Sequence, residues 1–134
     1  MVDEFFRMCA EVAASAGEED KRSFLLGAVA IRGRDQTVVR SPNGATHSSA
    51  TNKDFRVVPS AHAEIRTLKK AGKGSVLFVA RILRRDGSYA MARPCGLCRV
   101  YLSSYETKLV YYTIDASHYG IWDPVKDTDR IIDL

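Results

Sequence analysis

The 134-residue chain is 46% hydrophobic and 27% charged, the composition of one folded domain rather than of a disordered, collagen-like or low-complexity chain. No run approaches the ~18 apolar residues of a membrane span, and Met1 to Arg7, with Asp3 and Glu4, lacks the basic-then-apolar layout of a secretory leader. These features predict a single soluble domain over residues 1–134 in a cytoplasmic setting, and a net charge of +4 does not by itself mark a nucleic-acid binder.

In chain order, Phe5, Phe6, Cys9, Val12 and Ala13 recur at helical spacing and predict a helix from Val2 to about Ala16, stopped by Gly17. Phe24 to Ile31 reads as a strand. The turn Arg32-Gly33-Arg34-Asp35 joins it to a second strand, Thr37 to Arg40, in a hairpin. Ser41 to Pro59 is polar and reads as a long loop, a length that is uncommon unless it serves a function. A helix follows from Ala61 to Ala71, with Ser60 as its cap and Gly72 as its stop. Ser75 to Leu83 is apolar on both alternating faces, as a buried central strand is. After the Asp86-Gly87 turn, Pro94 leads into a helix from Cys95 to Tyr105, and Leu109 to Ile114 is another strand. Tyr119 to Pro124 reads as irregular, with a short helix in the tail. A hairpin followed by β-α alternation predicts an α/β fold, a three-layer α/β/α sandwich on a mixed sheet.

Charge is unevenly distributed. Eleven of the 20 basic residues lie between Lys53 and Arg99, opposed only by Asp54, Glu64 and Asp86. From Asp115 onward the balance reverses. The middle of the chain therefore suits an anionic ligand, although solvated surface charge explains any one of these residues equally well. Three cysteines are too few, and odd in number, for a disulfide scaffold. Cys9 falls on the apolar stripe of the first helix and reads as a small buried hydrophobe.

Two segments carry chemistry. His62-Ala63-Glu64 opens one predicted helix, and Pro94-Cys95-Gly96-Leu97-Cys98 opens another. An isolated H-x-E is common by chance, and C-x-x-C also serves redox enzymes. Cys95 and Cys98 are one helical turn apart, so both thiolates reach one ion at ~2.3 Å. A helix N-terminus favours the thiolate form. His62 adds a nitrogen ligand. Three protein ligands leave one position of a zinc ion open to water, the catalytic arrangement. His47 or His118 as a fourth ligand would instead close a structural Cys2His2 site. Glu64 reads either as a first-turn acid facing the helix dipole or as a proton carrier beside the metal.

Taken together and in this order, the segments match the H-x-E … P-C-x-x-C signature of zinc deaminases. From about Leu25 to Thr113 the chain resembles the cytidine and deoxycytidylate deaminase superfamily. The resemblance implies a mixed five-stranded sheet with helices on both faces, and Zn2+ held by His62, Cys95 and Cys98. It also implies Glu64 as the proton shuttle, with the Ala63 N–H and the Pro94 carbonyl near the base. Histidine at position 62 resembles deoxycytidylate, tRNA-adenosine and guanine deaminases more than free-cytidine deaminases. Leu26-Gly27-Ala28-Val29 followed by Asn43 resembles the G-A-V … G-x-N pattern of nucleotide deaminases, in which the Asn meets the sugar. Asn43-Gly44 also reads as a plain turn. The run Val79-Ala80-Arg81 with Arg93-Pro94-Cys95 is most similar to small phage-type deoxycytidylate deaminases.

The leading expectation is therefore deamination of a cytosine nucleotide, dCMP first, with Arg93 as the phosphate contact and Arg56, Arg81 or Lys53 as alternatives. Phe55, Tyr119 and Trp122 are candidates for an aromatic lid. A polynucleotide deaminase, acting on tRNA or single-stranded DNA, is the first rival. A nucleoside or base deaminase and a non-enzymatic zinc module are the others. The resemblance further implies a homo-oligomer, with Val100 to Leu102 and Tyr119 to Trp122 as candidate interface.

Overall fold

Alternation along the central strands decides which helix covers which face. The structure, a computed structural model, describes residues 2–15, 24–41, 61–94 and 96–134, with the backbone alone at positions 41, 61–63 and 97. Helix α1 spans Val2–Ala14, and strands β1 and β2 span Phe24–Ile31 and Val38–Ser41. Helix α2 is Ala61–Ala71, β3 is Val76–Leu83 and β4 is Tyr89–Ala90. Helix α3 is Gly96–Ser104, followed by β5 (Leu109–Thr113), β6 (His118–Asp123) and β7 (Thr128–Asp133).

All the strands join one mixed sheet in the order β2-β1-β3-β5-β6-β7, with β4 paired to β3. Among the described residues only β3 and β5 run parallel; the other neighbouring strands are antiparallel. Leu25, Val29, Phe78, Ala80 and Ile82 point to one face and pack on Phe6, Cys9, Val12 and Ala13 of α1. Their neighbours Leu26, Ala28, Ala30, Leu77 and Val79 point the other way, onto Leu68 and Ala71 of α2 and Leu102 of α3. Near-continuous apolar β1 and β3 are thus covered on both sides, as their sequences require.

Gly27 makes the α1 contact possible. A Cβ there would collide with the Cys9 carbonyl oxygen and lie 2.9 Å from the Ala13 nitrogen, both backbone atoms that cannot swing aside. On this face Phe78 stacks between Phe5 and Tyr111, with ring centroids at 4.5 and 4.6 Å.

Several expectations are corrected. The sheet has seven strands rather than five, because β4 adds to β3 and the tail contributes β6 and β7. Tyr119 to Pro124 is not irregular; most of it is β6. The tail holds no short helix: Thr128–Asp133 pairs along the whole of β6. The hairpin turn is built by Asp123, whose Oδ1 accepts from the N–H groups of Val125 and Lys126, with Asp127 in the left-handed region at φ 53°. Trp122 is no lid. It is 2% exposed within the α2/α3-side core, and its indole N–H donates to Asp127 at 2.9 Å. Tyr119 packs on Phe6 on the opposite face, with centroids 5.7 Å apart. Of the expected interface stretches, Leu102, Ile121 and Trp122 are core residues, whereas Val100 is 66% exposed. Asn43, His47, Lys53, Phe55 and Arg56 lie outside the described residues.

Candidate functional site

Short connections bring two helix starts together. Helix α2 leads through Gly72-Lys73-Gly74 into β3, and α3 leads through Glu106 to Lys108 into β5. Each helix returns through its short connection to the start of the next strand, and α2 packs mainly on β1 and β2 and touches α3. Because β3 and β5 are parallel, both helix N-termini lie at the carboxyl ends of these two strands. Ile65 of α2 and Cys98 of α3 pack directly on each other, with Tyr101 beside them. The first turns of α2 and α3, which carry Glu64 and Cys98, therefore lie side by side although far apart in sequence.

Glu64 is buried because of where it falls on α2. Glu64, Leu68 and Ala71 follow the i, i+4, i+7 stripe that faces the sheet. An apolar residue would be expected at the first of these positions, yet a carboxyl occupies it at 3% exposure. Its Oε2 is buried and has no hydrogen-bond partner among the described residues. Burial pushes the Glu64 pKa up to about 8, while the positive charge of Arg81 pulls in the opposite direction. Arg81 shares the face of Leu77 and Val79 at the carboxyl end of β3, and its guanidinium lies 4.2 Å over the Phe24 ring. Its backbone N–H donates to the buried Thr113 hydroxyl at 3.2 Å.

On α3, Cys98 and Leu102 are four apart and both buried, at 2% and 0% exposure. The thiol thus enters the site from the sheet-facing stripe of its helix. The side chain of His62 and all of Cys95 lie outside the described residues, as does the Ala63 side chain. Among the described residues no three His, Cys, Asp or Glu side chains gather as a metal site. The third cysteine, Cys9, belongs to α1 and packs on the opposite face of the sheet. Its thiol donates to the Phe78 carbonyl at 3.3 Å, and desolvation drives its pKa strongly upward. His118 directs its ring nitrogens to Asp115 at 2.9 Å and Asp133 at 3.5 Å.

The segment entering α3 is held by groups with no signature in the sequence. The Arg93 fork binds Asp129 of β7 through Nε at 3.0 Å and Nη2 at 2.7 Å, so this edge of the guanidinium is engaged within the chain. Arg99 of α3 donates to the Pro94 carbonyl at 2.9 Å. The Thr113 hydroxyl donates to the Ala90 carbonyl at 2.8 Å, and the Ala92 N–H donates to the Thr113 carbonyl at 2.9 Å. Thr113, Arg99 and Asp129 escape sequence reasoning because each is a common residue distant in sequence from what it holds. The one local hint is Arg99, a single residue beyond the C-x-x-C pair. A cavity of about 380 Å³ lined by Leu109, Ile121, Lys126 and Arg130 lies at the amino end of β5, away from Glu64.

Against this geometry, the family model described as cytidine and deoxycytidylate deaminase zinc-binding region matches residues 1–114. No curated protein matches the chain. The family match ends before β6 and β7. Among the described residues no helix is long and apolar enough to cross a membrane.

Proposed function

The chain belongs to the cytidine and deoxycytidylate deaminase zinc-binding family, and on that premise we propose that it is a zinc-dependent hydrolytic deaminase of cytosine nucleotides, with dCMP as its substrate. The observation that carries this reading is Glu64: a carboxyl buried at the start of α2, next in sequence to Ile65, which packs on Cys98 of α3, and with a buried oxygen that has no hydrogen-bond partner among the described residues. A buried polar atom of this kind calls for an explanation, and a catalytic role is one that its place at the helix start supports.

The residues fit zinc. The buried thiol of Cys98 on α3 would supply one soft donor, and His62 and Cys95 would complete a three-ligand set of the kind catalytic zinc takes. Zinc in such a set lowers the pKa of a bound water toward neutrality. Glu64, sealed from bulk solvent, takes a proton at Oε2 and delivers it to the ring nitrogen next to the amino-bearing carbon. It then carries a proton to the departing amine. Water adds one oxygen to that carbon, ammonia leaves, and the cytosine becomes uracil.

Orientation of the base falls to backbone groups, the Ala63 N–H and the Pro94 carbonyl. The latter accepts from Arg99 and keeps a second lone pair. Asn43 serves the sugar. With Arg93 engaged by Asp129, a phosphate is left to the basic side chains at Lys53, Arg56 or Arg81.

The test is a substrate panel on zinc-loaded protein, comprising cytidine, deoxycytidine, CMP, dCMP, dCTP, guanine and a cytosine-containing single strand. Ammonia and the product base are measured for wild type and Glu64→Gln. The expected result is preferential turnover of dCMP, reduced at least ~100-fold in Glu64→Gln with zinc retained. Turnover of the strand alone replaces this reading with a polynucleotide deaminase. Equal turnover of deoxycytidine and dCMP removes the nucleotide assignment. Near-normal activity in zinc-replete Glu64→Gln rejects the mechanism.

A further inference from the structure

The hairpin β6–β7 lies beyond the residues matched by the family, yet it grips the segment that enters the second metal-ligand motif. Residues 91–94 form no helix or strand. Their first anchor is Ala92, tied to the Thr113 carbonyl. The second is Arg93, two residues before Cys95, whose guanidinium makes a paired bond to Asp129 of β7. The third is the Pro94 carbonyl, taken by Arg99 from inside α3. Arg99 also lies 6.0 Å over the Trp122 ring of β6. Two arginines flanking the C-x-x-C pair therefore lean on the same hairpin.

The hairpin is built to receive them. Asp129 accepts three hydrogen bonds, two from Arg93 and one from the Tyr112 hydroxyl at 2.7 Å. These bonds, Arg93 first, hold its carboxyl below the usual range. Tyr112 reaches β7 from β5 by crossing Gly120 on the intervening strand; a Cβ at Gly120 would collide with the ring. Trp122 stands opposite Asp129 in the β6–β7 register and is fixed to Asp127 in the turn. An exposed ion pair contributes little. This one is bidentate, shared with a phenol, and only 35% and 26% exposed at its two side chains, so it specifies geometry as well as charge.

We propose that Asp129 is a positioning residue for the metal: by holding Arg93 it sets the entry of the chain into α3 and hence the affinity of the site for zinc. The proposal rests on the zinc reading above. Outer groups that orient metal-bearing segments commonly alter metal affinity by about 10- to 100-fold.

The experiment measures zinc affinity of the full chain by competition with a chromophoric chelator, at a temperature where circular dichroism shows every variant folded. Asp129→Asn keeps the shape and removes the charge; Arg93→Lys keeps the charge and removes the fork. Both are expected to weaken zinc binding about 10-fold or more. Asp127→Asn, which loosens the Trp122 contact in the same hairpin, is the control for general hairpin stability and is expected to keep wild-type zinc affinity. Unchanged zinc affinity in Asp129→Asn and Arg93→Lys overturns the proposal. So does equal weakening by Asp127→Asn, since the hairpin would then act only through stability. A wild-type protein that binds no zinc overturns the zinc reading itself, a result distinct from either of these.

Discussion

Glu64→Gln converts the burial of the site into a measurable pH dependence of stability. The carboxyl is 3% exposed, and burial raises its pKa from 4.5 to about 8, against the opposing charge of Arg81. A group that binds its proton more tightly when folded stabilises fully below its unfolded pKa. That contribution is lost as pH rises through the folded value. The window therefore runs from 4.5 to about 8. A span of about 3.5 units, at ~1.4 kcal/mol per unit, sets a ceiling of ~5 kcal/mol on the stability lost across it. Glutamine has nearly the same shape and no proton to lose. In metal-stripped protein, denaturant titrations of wild type and Glu64→Gln at several pH values isolate this one group, because all other titrations cancel in the difference. The gap should move in favour of Glu64→Gln by several kcal/mol between about pH 5 and about pH 9. The same substitution would then stabilise the fold and abolish the proposed chemistry, a trade expected of a strained functional group. A gap constant to within ~1 kcal/mol over that range would refute the reasoning, since it would mean the carboxyl is not desolvated in the folded chain.

Two further substitutions probe the framework around the site. Thr113→Val removes a buried hydroxyl that accepts from the Arg81 N–H and donates to the Ala90 carbonyl. Stranding both backbone groups should cost about 2–4 kcal/mol by chemical denaturation, and a variant as stable as wild type would show that these bonds do not hold β3, β4 and β5 together. Gly27→Ala forces a methyl into the backbone of α1 at Cys9 and Ala13. A loss of about 3 kcal/mol or more, read as a lowered thermal midpoint, is expected from such overpacking; a neutral result would mean that α1 does not lie this close to β1.

Much of the molecule was legible because local spacing encodes it. The continuous apolar runs Phe24–Ile31 and Val76–Leu83 announce central strands, and helix α2 begins and ends at the residues its pattern indicates. The order of H-x-E and P-C-x-x-C pointed to the family that the match over residues 1–114 establishes. Those motifs read directly because their residues are neighbours in sequence and one helical turn sets their spacing.

The remainder was decided by contacts between residues far apart in the chain. Strand β7 has no burial pattern to betray it: five of its six residues are exposed and Ile132 is only half-buried. Its backbone pairing with β6, rather than any side-chain period, makes it a strand. Trp122, readable as lid, core or interface, falls in the core because its strand β6 turns it toward the side of the sheet that α2 and α3 cover. Arg93 read as a phosphate ligand because its partner Asp129 lies 36 residues onward. Glu64 was legible in sequence as a first-turn acid or a proton carrier. Its depth was not, because burial depends on α3 and the sheet arriving from elsewhere in the chain, and it is that arrival which strips the carboxyl of water and raises its pKa.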